Sequence, residues 1–424
     1  MQAQANIATP TGNPRRDAWL MCIGRGVRDA ARTIMAVLIG IFLVEGLGYS
    51  QSQLGLILAV SLAGGLLLSF ALMMSGNRMS RRTSFVVVGM VTTLAGLLLI
   101  FTDNIWLLAI GSFFGAYAAS GMHVGPMIQL EQSGLAQVSL ATGRTKAFSY
   151  LTLSSAVGRI AGGALVGIAT FLVEARDFRL VDAHRITFGV YIGLNVLMVV
   201  LYAALSPAME AKQQNGATAR WPNPLKATAR GRILRVSAFF GLDSFSGGLM
   251  FDTFLAIWLF TKFGVNEGSV GGVLVATQSA NLISIWLAPR VAAKFGLLNT
   301  LVFTQVAANL CLLGFAFAPG VAVAISLWVI RGLFDEMDVP TRQSYVMAIV
   351  PENERDIMAA TNNLGRGIGR LPSTAVTGAL WSGAITIAPW LTGAGLKLTY
   401  NLLIYMAFRG VHPQEEAERK ALRR

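Results

Sequence analysis

The sequence predicts an all-α membrane protein of twelve transmembrane helices, arranged as two pseudo-symmetric six-helix halves. Three observations lead there. First, 54% of the 424 residues are hydrophobic and only 13% are charged, whereas soluble domains carry about 25% charge. A span needs about 20 apolar residues, so this length holds about twelve with short loops. Second, the basic residues collect in alternate loops. Third, Arg144 to Gly167 overlays Arg355 to Gly378 without a gap, which matches Gly158-Arg159 to Gly369-Arg370 and Gly167 to Gly378.

The first half, residues 19–205, follows a polar tail over residues 1–18 that lacks the apolar core of a signal peptide. Span 1 covers Trp19 to Leu47 and carries Arg25, Arg28, Asp29 and Arg32, a spacing that puts all four on one helical face. Lipid cannot cover such a stripe cheaply, so it is expected to face the bundle or water. Span 2 ends near Met74, span 3 covers Ser84 to Phe101, and span 4 runs from Ile105 to Ile128, with Glu131 assigned to the following loop. Span 5 is Thr145 to Val173 and span 6 is Ile186 to Leu205.

Residues 206–235 form a basic, proline-containing linker, and the second half covers residues 236–408. Its spans are Val236 to Phe260, Val270 to Ala288, Leu297 to Phe317, Val321 to Met337, Ile357 to Ile385, and Thr392 to Phe408 with Lys397 inside it. A tail follows over residues 409–424. Arg342 and Arg355 are counted in the loop before span 11, together with the basic groups near Arg81, Arg144 and Arg290. The positive-inside rule then makes both termini cytoplasmic and the location the inner membrane. It also accounts for the net charge of +13 without nucleic acid. Gly48 and Gly55 fall opposite Gly264 and Gly271, and Asp29 opposite Asp243, which extends the repeat.

Six plus six spans, a long basic linker and cytoplasmic ends resemble the major facilitator superfamily over essentially the whole chain. The loop after span 2 resembles that family's G-x-x-x-D-R-x-G-R-R signature in Asn77, Arg78, Arg81 and Arg82, with Asn77 in place of the aspartate, Ser80 in place of a glycine and Met73 in place of the leading glycine. The resemblance implies a gating loop, although the aspartate's salt bridge has no counterpart. Gly158 to Gly167 is similar to a glycine pattern of drug-proton antiporters, with Gly163 in place of the proline, which points toward efflux. Asp338 to Tyr345 reads like a prokaryotic subfamily of unassigned substrate.

Candidate substrate-binding residues are Arg159, Arg370, Arg366, Asn362, Arg32 and Arg331. An arginine at the centre of a span costs about 2.5–3.5 kcal/mol, so each of Arg159 and Arg370 needs a partner. One reading is a carboxylate or phosphate of the substrate. The other is a resident acid such as Asp243, Asp252, Glu131 or Asp29. Asn362, Arg366 and Arg370, spaced by four, form one polar stripe. Candidate proton carriers are Asp252, Asp243, Asp29 and Asp335. Asp29 has arginines one turn away and is expected to stay ionised, whereas Asp252 has no base within a turn and is the better carrier. Arg331 and Asp335 can satisfy each other. His123, beside Pro126, reads as a pH sensor or as a partner to a proline kink.

The chain has no nucleotide loop and no zinc motif, and its two cysteines, Cys22 and Cys311, match no disulfide or metal spacing. The leading expectation is therefore a non-enzymatic secondary transporter without cofactor or metal. It would move a small organic solute by alternating access, most simply as proton-coupled efflux through an antiporter. The alternatives are uptake or exchange of an organic anion or phosphorylated metabolite, and a non-transporting sensor or assembly factor on the same fold. A monomer is expected, with the bilayer, protons and the solute as its partners.

Overall fold

The structure, a computed structural model, describes residues 13–75, 80–115, 127–128, 130–131, 134–135, 144–206, 228–339, 341–342, 345, 349–350, 354–382 and 386–409. Asn77 and Arg78 of the gating loop, His123, most of the linker and both chain ends lie outside the described residues. Every regular element among the described residues is helical.

Helix α1 (Pro14–Ile41) opens on Asn13, whose side chain accepts from the Arg15 and Arg16 amides, with Pro14 at the first position. It passes into a π-helical turn (Phe42–Gly46). Then follow α2 (Gln51–Ser75), α3 (Arg81–Phe101), α4 (Ile105–Phe113), α5 (Arg144–Leu165), α6 (Gly167–Arg176) and α7 (Leu180–Ala203). After residue 228 come α8 (Arg230–Gly248), α9 (Asp252–Phe263), α10 (Glu267–Phe295), α11 (Leu297–Ala316), α12 (Val321–Asp335), α13 (Arg355–Arg370), α14 (Ser373–Ser382) and α15 (Ala388–Phe408). Gly48 and Gly264, which end α1 with its π turn and α9, both take the left-handed conformation (φ 73° and 65°).

Among the described residues, seven helical stretches are long and apolar enough to cross a bilayer: Gln51–Ala71, Arg81–Phe101, Tyr150–Arg176, Leu180–Ala203, Arg230–Phe263, Glu267–Phe295 and Leu297–Ala316. Helix α1, with its charged stripe, is not among them. Phe101, Trp106 and Trp286 are 78%, 77% and 62% exposed, an apolar exterior of the kind that faces lipid in a membrane protein. Inside, Trp258, Phe315, Trp328 and Trp390 interlock, tilted or edge to face, with ring centroids 4.5 to 5.9 Å apart.

Glycines set the helix crossings. A Cβ on Gly158 of α5 would meet the Gly26 carbonyl of α1, and one on Gly369 of α13 would meet the Gly241 carbonyl of α8. The residues 154 and 365 repeat the pattern, with Gly26 against Ser154 and Gly241 against Gly365, each 3.0 Å from a carbonyl oxygen. Backbones approach this closely only where side chains are absent. Two further crossings join the helices before residue 206 to those after 228. Gly55 of α2 lies on Gly378 of α14, and Gly271 of α10 lies on Gly163 of α5.

Several sequence expectations are corrected. Span 7 is two helices, because the chain breaks over Leu249–Phe251, and span 11 breaks after Arg370 at Pro372. Glu131 is fully buried against α1 instead of lying in a loop. Arg342, counted as a loop base, is buried against two aspartates. The last helix begins earlier than Thr392, at Ala388, and buries Lys397 along its length.

Candidate functional site

The charged stripe of α1 faces inward and is matched on that side. Glu131 receives Arg28 in a two-pronged grip, Nε to Oε1 and Nη2 to Oε2, each at 3.0 Å. It also accepts from Arg25 at 2.6 Å and from the Tyr202 hydroxyl at 2.6 Å. Asp29 receives Arg25 at 2.8 Å and the Ser155 hydroxyl, with Arg32 3.7 Å away. A carboxylate so surrounded by guanidiniums has its partners within the protein and belongs to the framework.

A second cluster forms in the later helices. Arg342 reaches Asp338 at 2.9 Å and Asp243 at 3.2 Å. Lys397 donates to Gln305 at 3.2 Å and sits 3.6 Å from Asp243 and 3.9 Å from Asp335. Arg331 and Asp335 pair at 2.7 Å, as one-turn neighbours can. Asp243, a candidate proton carrier in the sequence, thus has two cationic neighbours already.

Between the clusters lie the two helix breaks. Asp252 occupies the first turn of α9, where the free amides of a helix N-terminus favour negative charge. Arg370 ends α13, where the carbonyl ends favour positive charge. Arg159 of α5, Arg331 and Arg370 all act electrostatically on Asp252, and Arg366, Asp243 and Arg32 act on Arg370. Arg159 also acts on Glu336 at the end of α12. The structure therefore brings Arg159, Arg366, Arg370, Arg32, Arg331 and Asp252 into one region.

Arg159, Arg366 and Arg370 make no ion pair with any of the described residues. The Nε atoms of Arg159 and Arg370 are buried without a hydrogen-bond partner, as is Oδ1 of Asn362. Arg370 rests on the Phe251 ring, 4.3 Å from its centroid, which holds the guanidinium without neutralising it. Three of the four acids that the sequence offered as structural partners are otherwise engaged, Asp29 and Glu131 by α1 and Asp243 by Arg342 and Lys397, whereas Asp252 makes no ion pair among the described residues. Arg81 and Arg82 begin α3.

Sequence reasoning missed the roles of Glu131, Arg342 and Lys397, and it passed over Glu336. The available signal was modest: a carboxylate or base within a few residues of an apolar run can sit on either side of the membrane boundary. It missed His184 and Glu267 as well, which meet at 3.3 Å where α7 and α10 begin.

Comparison with known proteins gives a consistent picture. Residues 21–374 match the Major Facilitator Superfamily. An uncharacterized membrane protein, YJR124C, of Saccharomyces cerevisiae is 20% identical over 397 residues, which span 87% of this chain and 89% of the yeast protein. Among solved structures, a mutant of the nucleoside transporter NupG superposes with a TM-score of 0.75 at 15% identity, covering 92% of this chain and 99% of NupG. A D-xylose-proton symporter gives 0.68 at 15% identity, covering 92% and 97%. A bacterial homolog of the lysosomal transporter Spinster gives 0.70 at 14% identity, covering 94% and 98%. With its all-helical fold, lipid-exposed apolar exterior and match over most of its length, the chain is a multi-pass membrane transporter that belongs to the Major Facilitator Superfamily.

Proposed function

We propose that this protein carries a small organic anion across the inner membrane together with a proton, by alternating access between two halves of six spans each. The observation that carries the reading is that, among the described residues, Arg159, Arg366 and Arg370 lack ion pairs while every neighbouring acid but two is engaged. Arg25, Arg28 and Arg32 face Asp29 and Glu131; Arg331, Arg342 and Lys397 face Asp243, Asp335 and Asp338, of which Asp243 also acts on Arg366 and Arg370; the acids near Arg159 and Arg370 that make no ion pair among the described residues are Asp252 and Glu336. Two positive charges are left over, and buried positive charge without a counter-ion is unstable. A carboxylate or phosphate of the solute would supply it, and a guanidinium fork suits either.

Asp252 supplies the coupling. While ionised it competes with the solute for Arg159 and Arg370; once protonated it releases them. Anion and proton then load together, which favours cotransport inward over antiport. The glycine pattern of span 5, which pointed to efflux, has a sufficient cause in helix crossing, since Gly158, Gly162 and Gly163 abut Gly26, Ala30 and Gly271. A D-xylose-proton symporter and a nucleoside transporter both have similar folds, so the fold itself leaves the solute open.

The two-half arrangement rests on the repeated crossings, Gly158 on Gly26 and Gly369 on Gly241. By the positive-inside rule, the end where α2 and α10 begin faces outward. Hydrogen bonds joining the earlier helices to the later ones cluster there: Ser52 to Ser382 at 2.6 Å, Gly268 N–H to Thr170 at 2.7 Å and Asn266 to Glu174 at 2.8 Å. On this reading the outer gate is closed. Uptake of radiolabelled organic anions into proteoliposomes tests the function. It should rise with an inward proton gradient and collapse in Arg370→Lys; uptake of neutral solutes only, or indifference to the gradient, would overturn it.

A further inference from the structure

We propose that His184 and Glu267 form a proton-binding site that latches the outer gate, separate from the proton carried with the solute at Asp252. This inference rests on the orientation and alternating access proposed above. His184 belongs to α7 and Glu267 to α10, so the pair bridges the helices that must part when that end opens. Both are buried, at 0% and 3% exposure, and Nε2 of His184 lies 3.3 Å from Oε1 of Glu267. Thr170 of α6 is a second, weaker contact to the same carboxylate at 3.5 Å, and the Thr170 hydroxyl also takes the Gly268 amide.

The imidazole lies beside the paired rings of Phe42 and Phe188, and its Nδ1 has no hydrogen-bond partner among the described residues. With the ring neutral, the closed gate buries a net negative charge on Glu267. With the ring protonated, the same contact is a charge-neutral ion pair. Removing a lone carboxylate charge from water costs more than leaving one N–H unbonded, so closure favours the protonated pair. When the gate opens, water reaches both groups and that preference disappears.

The other charged groups of the surrounding elements do not take this role. Glu45 of the π turn is exposed, and Glu174 of α6 accepts from Asn266. On α7, Asp182 pairs with Arg179 and Arg185 with Asp103, while Lys262 of α9 lies over the Trp258 ring. Among the described residues, His184 is the ionisable side chain that pairs with Glu267. The site takes up its proton from the outer solution and returns it there on opening. It therefore makes gating depend on outside pH without adding to the protons carried.

Spin labels on Phe101→Cys and Phe317→Cys, both exposed at the outer end, report the gate in a Cys22→Ala, Cys311→Ala background of the full chain. The distance distribution between about pH 5 and pH 8 should show the short, closed population growing on acidification, by at most about tenfold in ratio per pH unit for one proton. His184→Gln and Glu267→Gln, each keeping a hydrogen-bonding side chain, should both abolish the growth of the closed population on acidification, and His184→Gln, which leaves the buried carboxylate uncompensated at every pH, should also enlarge the open population. Unchanged pH dependence in both variants, or none in the parent, overturns the latch. Two populations that ignore pH would leave alternating access standing, whereas a single distance in parent and variants alike would count against both.

Discussion

Gly55 of α2 and Gly378 of α14 lie backbone on backbone, so that a Cβ on Gly55 would stand 2.9 Å from the Gly378 Cα. The crossing joins the earlier and later helices at the end proposed to be closed, and it has no room for any larger residue. Gly55→Leu should therefore hold that end apart without unfolding either group of helices. Thiol labelling of a cysteine at Ser52 should speed up in Gly55→Leu; labelling as slow as in the parent would show that the contact does not govern closure.

The within-group crossings predict stability effects instead. Gly158→Ala and Gly369→Ala each drive a methyl into a carbonyl of the facing helix, and overpacking of this kind costs about 1–3 kcal/mol. Gly193→Ala on α7 meets nothing within 4 Å and should leave Tm unchanged. Thermal unfolding of the three variants in detergent makes the comparison, and equal Tm values would remove the structural basis for the repeat.

Arg342→Ala leaves Asp338 without its cation and Asp243 with Lys397 alone. Breaking a buried pair from one side costs about 3–5 kcal/mol, so Tm should fall well below that of Arg366→Ala, which breaks no ion pair. A smaller loss in Arg342→Ala than in Arg366→Ala would invert the assignment of framework and site.

At the proposed inner end, Glu354 accepts the Thr228 and Ala229 amides at 2.6 and 3.0 Å. These bonds hold its carboxyl below the usual carboxylate range. The stabilisation is present above the unfolded-state pKa and is lost as pH falls through the depressed folded-state value. Glu354→Gln should make the chain ahead of α8 easier to cleave by protease at neutral pH and insensitive to acid over that window. Cleavage like that of the parent at neutral pH would contradict this.

Much of the architecture was legible because it depends on local spacing. The repeat of Gly158-Arg159 at Gly369-Arg370 follows from residue type alone, and so does the inward face of Arg25, Arg28, Asp29 and Arg32. Arg331 and Asp335 are one turn apart on one helix, which makes their pairing visible in the sequence. Arg342 with Asp243, Glu131 with Arg28, and His184 with Glu267 were not legible, because each partner is 83 or more residues away. Charges near the ends of apolar runs also look like loop residues until a buried partner is found. The helix breaks beside Asp252 and Arg370 were hidden for a different reason: apolar composition continues through them, and only Pro372 hinted at one.

The central claim is that Arg159 and Arg370 await an anion brought by the solute. A thermal-shift screen of purified protein against organic anions, sugars, nucleosides and organic cations tests it most directly, with Arg159→Lys and Arg370→Lys alongside. The account predicts that anions alone raise Tm, that the shift grows as pH is lowered toward protonation of Asp252, and that both variants fold but lose it. Stabilisation by a neutral or cationic solute, equal in the parent and in both lysine variants, would contradict it.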